Sequence, residues 1–169
     1  MWHSRLIRRV RGMAALVCAL LLTSCEGTSF SNSVPAYPVR VVIDTRTLFV
    51  DFTPENTNAY ITVDQDGYKE NDRFVVPVTV MDAWGYAGVL AYVSLGGYVA
   101  FDLGCPYCAG RGTKSQCYMD GIYAVCPVCG EQYEVASGYA LPQKGLSKET
   151  LRPLAVQAEN GKLTITQRK

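Results

Sequence analysis

Residues 104–110 read GCPYCAG and residues 125–130 read VCPVCG, and these two stretches determine how the rest of the chain is interpreted. Each contains two cysteines three positions apart with a proline directly after the first, a pattern typical of a tight turn that directs both sulfur atoms to one point. The full spacing is C-x2-C-x17-C-x2-C. Two such turns brought together supply four thiolates in a tetrahedral arrangement, which suits zinc or iron. The predicted ligands are Cys105, Cys108, Cys126 and Cys129.

The start of the chain has the pattern of a secretory signal, predicted over residues 1–24. Four arginines precede an apolar run over residues 13–22, which is too short to remain as a membrane-spanning helix. Residues 22–25 read LTSC and resemble the bacterial lipobox, whose cysteine is acylated and becomes the mature N-terminus. The resemblance implies a lipid on Cys25, a membrane anchor and a place in the cell envelope outside the cytoplasm. The alternative is an ordinary signal peptide followed by an incidental cysteine.

Composition limits the partners and the metal ligands that can be expected. Without the signal, acidic residues slightly outnumber basic ones and no basic run remains, so nucleic acid is not an expected partner. The only histidine, His3, lies in the signal, so the mature chain has no imidazole to offer a metal. Five of the seven cysteines fall within residues 105–129, which favours a local site over disulfides spread through the domain. The expected partners are the membrane, through the lipid, and a redox or assembly protein.

Beyond the signal, the pattern indicates a tether and one β domain. Residues 25–38 are rich in serine and contain two prolines, and they are predicted to form a lipidated, flexible tether. Residues 39–169 are predicted to fold as one domain of short strands separated by Gly, Asp and Asn turns. The expected strands include 39–43, 47–52, 59–63, 74–81, 89–94 and 98–102, with a last hairpin of 154–158 and 162–166. A loop is expected over 137–146 and one helical turn over 147–151. The pattern indicates an all-β sandwich or barrel.

The segment between the two cysteine turns is predicted to form a hairpin. Asp120-Gly121 is a typical two-residue turn and would join strands 116–119 and 122–125. In this register Cys117 lies opposite Ala124, so a disulfide to a directly opposite cysteine is not expected. A buried apolar role is predicted for Cys117, and the alternative is a fifth thiol near the centre.

The second turn and the chain after it resemble a known family. Residues 126–133 read CPVCGEQY, with Gly138 and Gly145 further on. This stretch resembles the second cluster-binding loop of Rieske iron–sulfur proteins, which reads C-P-x-H-G-x-x-F before a glycine-containing loop and a last hairpin.

The resemblance extends to the first turn. The family's first loop reads C-x-H, and Cys105 with Tyr107 stands in that place. The similarity spans about half of the mature chain, residues 89–167. It implies a Rieske-like antiparallel β-sandwich with a small cluster-binding or zinc-ribbon-like loop subdomain, whose metal-binding loops are residues 104–130.

The family's metal ligands are not all present. Rieske proteins bind one iron through two cysteines and the other through two histidines. Here Tyr107 and Cys129 stand at the histidine positions and Cys108 is an added thiol, so composition excludes a true Rieske cluster. Three possibilities remain for the four cysteines: a structural zinc site, an iron centre with one iron or a [2Fe–2S] cluster, and two disulfides that tie the loops together.

These three possibilities lead to two hypotheses of function. The first is a metal-centre protein that transfers electrons or uses the metal only to fasten its loops. The second is a redox-inert surface or assembly module whose loops are held by disulfides. An enzyme is not expected, because catalytic C-x-x-C motifs open a helix and neither turn is predicted to do so. The protein is expected to be at most a non-catalytic electron-transfer component.

Overall fold

The chain forms short antiparallel strands throughout residues 32–168, the part that the computed structural model describes. The predicted all-β fold is confirmed. Within these residues, no helix is long and apolar enough to cross a membrane. The elements are β1 (Val39–Asp44), β2 (Tyr60–Asp64), β3 (Gly67–Glu70), β4 (Arg73–Val76), β5 (Ala83–Trp84), β6 (Val89–Ser94), β7 (Gly97–Asp102), α1 (Pro106–Ala109), β8 (Tyr118–Asp120), β9 (Tyr123–Val125), β10 (Gln132–Glu134), β11 (Leu141–Lys144), β12 (Leu154–Glu159) and β13 (Lys162–Gln167).

The strands form three sheets. One sheet has the order β12-β13-β1-β5, a second has β4-β3-β2-β6-β7, and a small third sheet has β11-β10-β9-β8. The third sheet is the predicted loop subdomain, because the second cysteine turn connects β9 to β10. The order of elements, with the β12–β13 hairpin last, agrees with the order that the Rieske resemblance implies.

Strand β6 explains how the layers are held together. All six of its residues are buried, because successive side chains point to opposite faces of the sheet and both faces are covered. Val89, Ala91 and Val93 pack in a core with the β12-β13-β1-β5 sheet. Leu90 and Tyr92 pack in a second core, which also contains the cysteines of the two turns. The four cysteines therefore pack against a strand that is fixed from both sides.

The β6–β7 hairpin leads directly into the first cysteine turn, as predicted. Its register pairs Ser94 with Gly97 and Val89 with Asp102. The predicted strand over 47–52 is wrong, because this segment forms turns. The backbone N–H of Phe49 donates to the Asp44 carbonyl, and that of Phe52 donates to the Phe49 carbonyl. Both phenylalanines are still fully buried, so their apolar character reflects the core and not a strand.

Two predictions for the segment after the second turn are also wrong. The expected loop over 137–146 contains strand β11, which pairs with β10 across a bulge. The expected helical turn over 147–151 does not form. Two of its N–H groups are bound by side chains instead, since the Glu131 carboxylate accepts from Ser147 N and the Ser147 hydroxyl accepts from Glu149 N, while Leu151 N donates to the Ala140 carbonyl.

Residues 32–38, which were predicted as the end of the tether, include packed positions. The signal over residues 1–24, Cys25 and the tether up to residue 31 lie outside the described residues. From Asn32 onward the chain is packed: Val34 is fully buried, and Ser33 donates its N–H and its hydroxyl to the Glu149 carboxylate. The folded part therefore begins before the predicted boundary at Val39.

Candidate metal centre

The two cysteine turns are closed by the same kind of backbone hydrogen bond, from the N–H of residue i+4 to the carbonyl of the first cysteine. In the first, Ala109 N donates to the Cys105 carbonyl at 2.9 Å, and in the second, Gly130 N donates to the Cys126 carbonyl at 3.0 Å. The first turn continues as α1, a single helical turn with Cys105 at its N-cap and a proline directly after it. The expectation that neither turn opens a helix is therefore wrong for the first turn. In the second, Gly130 adopts a positive φ of 73° and allows the chain to turn into β10.

The structure brings the four predicted cysteines together. Their sulfur atoms all lie within 4.8 Å of one another. The shortest separations connect the two turns: Cys105 Sγ to Cys129 Sγ is 3.6 Å, and Cys108 Sγ to Cys126 Sγ is 3.7 Å. Three of the four cysteines are buried and Cys129 is half-buried. The four sulfurs thus enclose one point at the end of the small sheet.

The first, or leading, cysteine of each turn has a buried hydroxyl within hydrogen-bond distance of its sulfur. The Tyr133 hydroxyl lies 3.5 Å from Cys105 Sγ, and the Ser115 hydroxyl lies 3.2 Å from Cys126 Sγ. Tyr133 is fully buried and Ser115 is almost so. Sulfur tolerates these longer distances because it is larger than oxygen. Two of the four sulfurs therefore have a hydroxyl within hydrogen-bond distance, which can donate to the sulfur and disperse its negative charge once the thiol is ionised.

The fifth cysteine lies in a different place from the one predicted. The β8–β9 turn consists of Gly121 and Ile122, and the register pairs Tyr118 with Val125. Continuing it by one residue places Cys117 opposite Cys126, so the predicted partner Ala124 was wrong by two positions. Cys117 is buried in the same core as the four cysteines but is not among the four sulfurs that enclose one point.

Cys117 has an electrostatic effect on its neighbours. The neighbouring Cys117 thiol is the main cause that lowers the pKa of the Cys105 and Cys126 thiols. Desolvation by burial raises the pKa of the Cys108 and Cys129 thiols. The leading cysteine of each turn is therefore the one that ionises first when no metal is bound.

Two buried carboxylates fix the chain beside the turns. Asp102, directly before the first turn, accepts hydrogen bonds from the backbone N–H groups of Tyr86, Ala87 and Gly104, at 2.6, 3.2 and 2.8 Å. It is 1% exposed. Although these hydrogen bonds favour the charged form, burial dominates and raises the pKa of Asp102.

Glu131, directly after the second turn, has the corresponding role. Its carboxylate accepts from the backbone N–H groups of Leu146 and Ser147, and it occupies the space where a Cβ at Gly145 would lie. Gly145 also has a φ of 115°, which favours glycine. The loop over residues 145–147 is thereby tied to the second turn.

Sequence reasoning missed Ser115, Asp102 and Glu131 as residues of the site. The available signal for Asp102 was a single acid between two apolar residues, Phe101 and Leu103, just before the first turn. Glu131 lies between Gly130 and Gln132 and has no such signal. Nothing in the local pattern distinguishes Ser115 from other serines. Tyr107, at the family's first histidine position, lies with its ring under the Arg111 guanidinium, 3.5 Å from Cζ to the ring centre.

Comparison with known proteins gives only distant likenesses. No protein-family model and no curated protein matches the chain. Among solved structures, it is similar to a chain in the complex of reduced oxygenase and oxidized ferredoxin of carbazole 1,9a-dioxygenase, with 17% identity, a TM-score of 0.39, and coverage of 52% of this chain and 79% of that one. It is also similar to the ferredoxin of Sphingomonas yanoikuyae B1, with 19% identity, a TM-score of 0.37, and coverage of 48% and 76%. These likenesses concern the fold alone, so the function must be argued from the site.

Proposed function

We propose that the chain is a cell-envelope lipoprotein whose β domain holds a single metal ion on the sulfurs of Cys105, Cys108, Cys126 and Cys129. The arrangement of those sulfurs supports the proposal. Metal–sulfur bonds of about 2.3 Å in a regular tetrahedron place the sulfurs about 3.8 Å apart. The two closest pairs here are 3.6 and 3.7 Å apart, and no pair exceeds 4.8 Å.

The same distances favour one ion over a two-iron cluster or a pair of disulfides. In a [2Fe–2S] cluster the thiolates on opposite irons are held apart by the whole length of the cluster, whereas these four sulfurs surround one point. In a disulfide the two sulfurs are about 2.05 Å apart. The five cysteines of the described residues are all free thiols.

The donor set suits zinc. Four thiolates are soft ligands, and a closed set of four leaves no position for water, which is typical of structural zinc. A bound zinc ion would fasten the first turn to the second and thereby hold the small sheet against β6 and β7. Chelation of the metal would then destabilise this end of the domain.

A single iron with an electron-transfer role is the second candidate, and the exposure of one edge of the centre favours it. Cys129 is half-buried and its neighbour Val128 is 64% exposed, so one ligand reaches the protein surface. Bound iron would supply one-electron chemistry, and a redox protein would have to dock at this edge. Hydrogen bonds to the sulfurs and solvent exposure would set the potential.

Thiol–disulfide catalysis fits the site poorly. Cys105 would be the attacking thiol of the first turn, yet it is 0% exposed. A reactive catalytic cysteine lies in a partially exposed position. The domain is therefore proposed as a non-catalytic component.

The envelope location depends on the LTSC motif at residues 22–25. Expression of the full chain in a bacterium with radiolabelled palmitate should label the wild type, and Cys25→Ser should abolish both the label and recovery in the membrane fraction. Cys18→Ser, which lies in the predicted signal, is the matched control. Unlabelled wild-type protein would refute the anchor.

Metal content and colour test the centre. The full chain is purified in detergent without oxygen, and metal is measured per chain together with the visible spectrum. One zinc per colourless chain supports the structural site, and one iron with absorption at about 400 to 600 nm supports the electron-transfer candidate. Two irons per chain would contradict the single-ion centre. Metal-free protein with oxidised cysteines would overturn the metal proposal. It would favour the alternative, a surface or assembly module whose loops are held by disulfides.

A further inference from the structure

The chain between the two turns forms a third wall of the site. Cys105 N donates to the Ser115 carbonyl at 3.0 Å, and Cys117 N donates to the Leu103 carbonyl at 2.8 Å. Residues 115–117 are thereby held beside the chain that enters the first turn, with Gly104 and Gln116 as the bridged pair.

The side chains of this segment alternate between two faces, as in a strand. Gln116 points away from the cysteines, and its amide donates to the Asp64 carboxylate at 3.2 Å. Ser115 and Cys117 point to the other side, where they are 5% and 2% exposed. The face that carries the serine hydroxyl is thus fixed toward the metal centre by backbone bonds and by an anchor on the opposite face.

The Ser115 hydroxyl has one hydrogen-bond partner among the described residues, the Cys126 sulfur at 3.2 Å. A metal-bound thiolate has no hydrogen to give, so the hydroxyl is the donor. A buried hydroxyl without a partner is energetically unfavourable, so this hydrogen bond holds the side chain in place. On the first turn, the Tyr133 hydroxyl occupies the corresponding position on Cys105.

We propose that Ser115 is a positioning residue of the metal centre: its hydroxyl holds the Cys126 sulfur and weakens the donation of electrons from that thiolate to the metal. This inference rests on the proposed function. Four thiolates around a divalent ion carry two net negative charges in a buried place, and a hydroxyl on each leading cysteine disperses that charge. Ser115 belongs to neither cysteine turn, so the centre depends on a segment outside both motifs.

The test uses Co²⁺ as a spectroscopic probe bound to the full chain. Ser115→Ala should raise the dissociation constant for Co²⁺ about 10–100-fold, the range found when an outer-shell partner of a metal ligand is lost. The stronger donation by a free sulfur is outweighed because the Cys126 sulfur is no longer held in position and the negative charge of the four thiolates is no longer dispersed. The thiolate-to-cobalt charge-transfer band should also move to lower energy, because a sulfur without its hydrogen bond is a better electron donor. Ser115→Thr keeps the hydroxyl and should retain the wild-type band. Ser137→Ala is the matched control, since Ser137 is exposed and only its backbone N–H donates, to Glu134.

The outcomes separate the two proposals. Wild-type chain that binds no Co²⁺ in a tetrahedral thiolate site overturns the proposed function itself. Wild-type binding with an unchanged band and affinity in Ser115→Ala overturns only the role of Ser115. If Ser115→Ala yields no folded protein, Ser115→Thr decides: a wild-type band supports the role of the hydroxyl, and a shifted band overturns it.

Discussion

The hydroxyl of Tyr133 lies 3.5 Å from the sulfur of Cys105, and both residues are fully buried. Tyr133 belongs to β10, which follows the second cysteine turn, whereas Cys105 begins the first. Burial is the main cause that raises the pKa of Tyr133 above its usual value, so the phenol stays protonated and acts as the donor. One hydrogen bond therefore connects the two halves of the metal centre without the metal.

Tyr133→Phe removes this hydroxyl and keeps the ring in the core. We expect the free energy of unfolding to fall by about 1 kcal/mol, the usual contribution of one hydrogen bond, and zinc affinity to fall several-fold. Urea unfolding and competition with a chelator measure these effects. Tyr139→Phe is the control, because Tyr139 is 70% exposed. Equal loss in both variants would show that the Tyr133 hydroxyl has no special role.

Cys129→Ser removes the ligand that is nearest the surface. A hydroxyl is a poor substitute for a thiolate on a soft metal, so we expect zinc affinity to fall by more than the roughly 100-fold that loss of an outer-shell partner costs. Unfolding should also become insensitive to added zinc, because binding energy is folding energy at such a site. Thermal unfolding with and without zinc measures this. Full metal occupancy in the variant would mean that Cys129 is not a ligand.

Cys117→Ala tests whether the fifth thiol is a metal ligand in addition to the four clustered cysteines. Cys117 is buried beside the centre but outside the group of four sulfurs. We therefore expect the variant to keep one metal ion per chain and to lose about 1 kcal/mol of stability from the small cavity. Metal analysis and urea unfolding measure the two effects, with Cys129→Ser as the comparison. A chain that no longer binds metal after this change would make Cys117 a ligand.

Asp102→Asn tests the carboxylate before the first turn. The two carboxylate oxygens of Asp102 accept hydrogen bonds from three backbone N–H groups. In asparagine only the amide oxygen can accept, because the other position is an NH₂ donor. At least one buried N–H loses its partner, which should cost about 1–3 kcal/mol. Urea unfolding measures the change against Asp120→Asn, an exposed aspartate in the β8–β9 hairpin. Stability equal to that control would contradict the role of Asp102.

The parts that the sequence predicted correctly have local signals. The β6–β7 and β12–β13 hairpins each have an apolar run on either side of a glycine-containing turn, and the proximity of the four cysteines follows from their regular spacing. The β8–β9 register failed because Gly121 can be the first or the second residue of a two-residue turn. The observed register, which pairs Asp120 with Tyr123, makes it the first, and its φ is 60°. Every pair therefore moves by two positions, and Cys117 is placed opposite Cys126.

The residues that were missed depend on contacts between distant parts of the chain. Val34 reads as part of a tether, yet it is fully buried, and its Cγ1 lies 3.1 Å from the position where a Cβ of Gly104 would lie. Glu131 reads as a surface acid, yet it accepts from N–H groups about fifteen residues away. Hydrogen bonds and packing of this range are set by the fold and leave no periodic pattern in the sequence.

The last prediction concerns pH and the anchor of residues 115–117. The Asp64 carboxylate binds Lys69 Nζ at 3.0 Å and accepts from the Gln116 amide at 3.2 Å. Burial acts to raise the pKa of Asp64, but the hydrogen bonds from Lys69, from the backbone N–H of Asp66 and from Gln116 together lower it below 3.8. A carboxyl whose pKa is lowered by folding contributes stability that is present above the unfolded value and is lost as the pH falls through the folded value.

We therefore expect wild-type protein to be more stable than Asp64→Asn at neutral pH and this difference to shrink as the pH falls below 3.8. Urea midpoints of both proteins across this range measure it. Asp66→Asn is the matched control, since that side chain is 69% exposed and approaches Lys69 only at 3.7 Å. A difference between wild type and Asp64→Asn that stays constant down to the lowest pH would mean that the ionised carboxylate does not hold Gln116 in place.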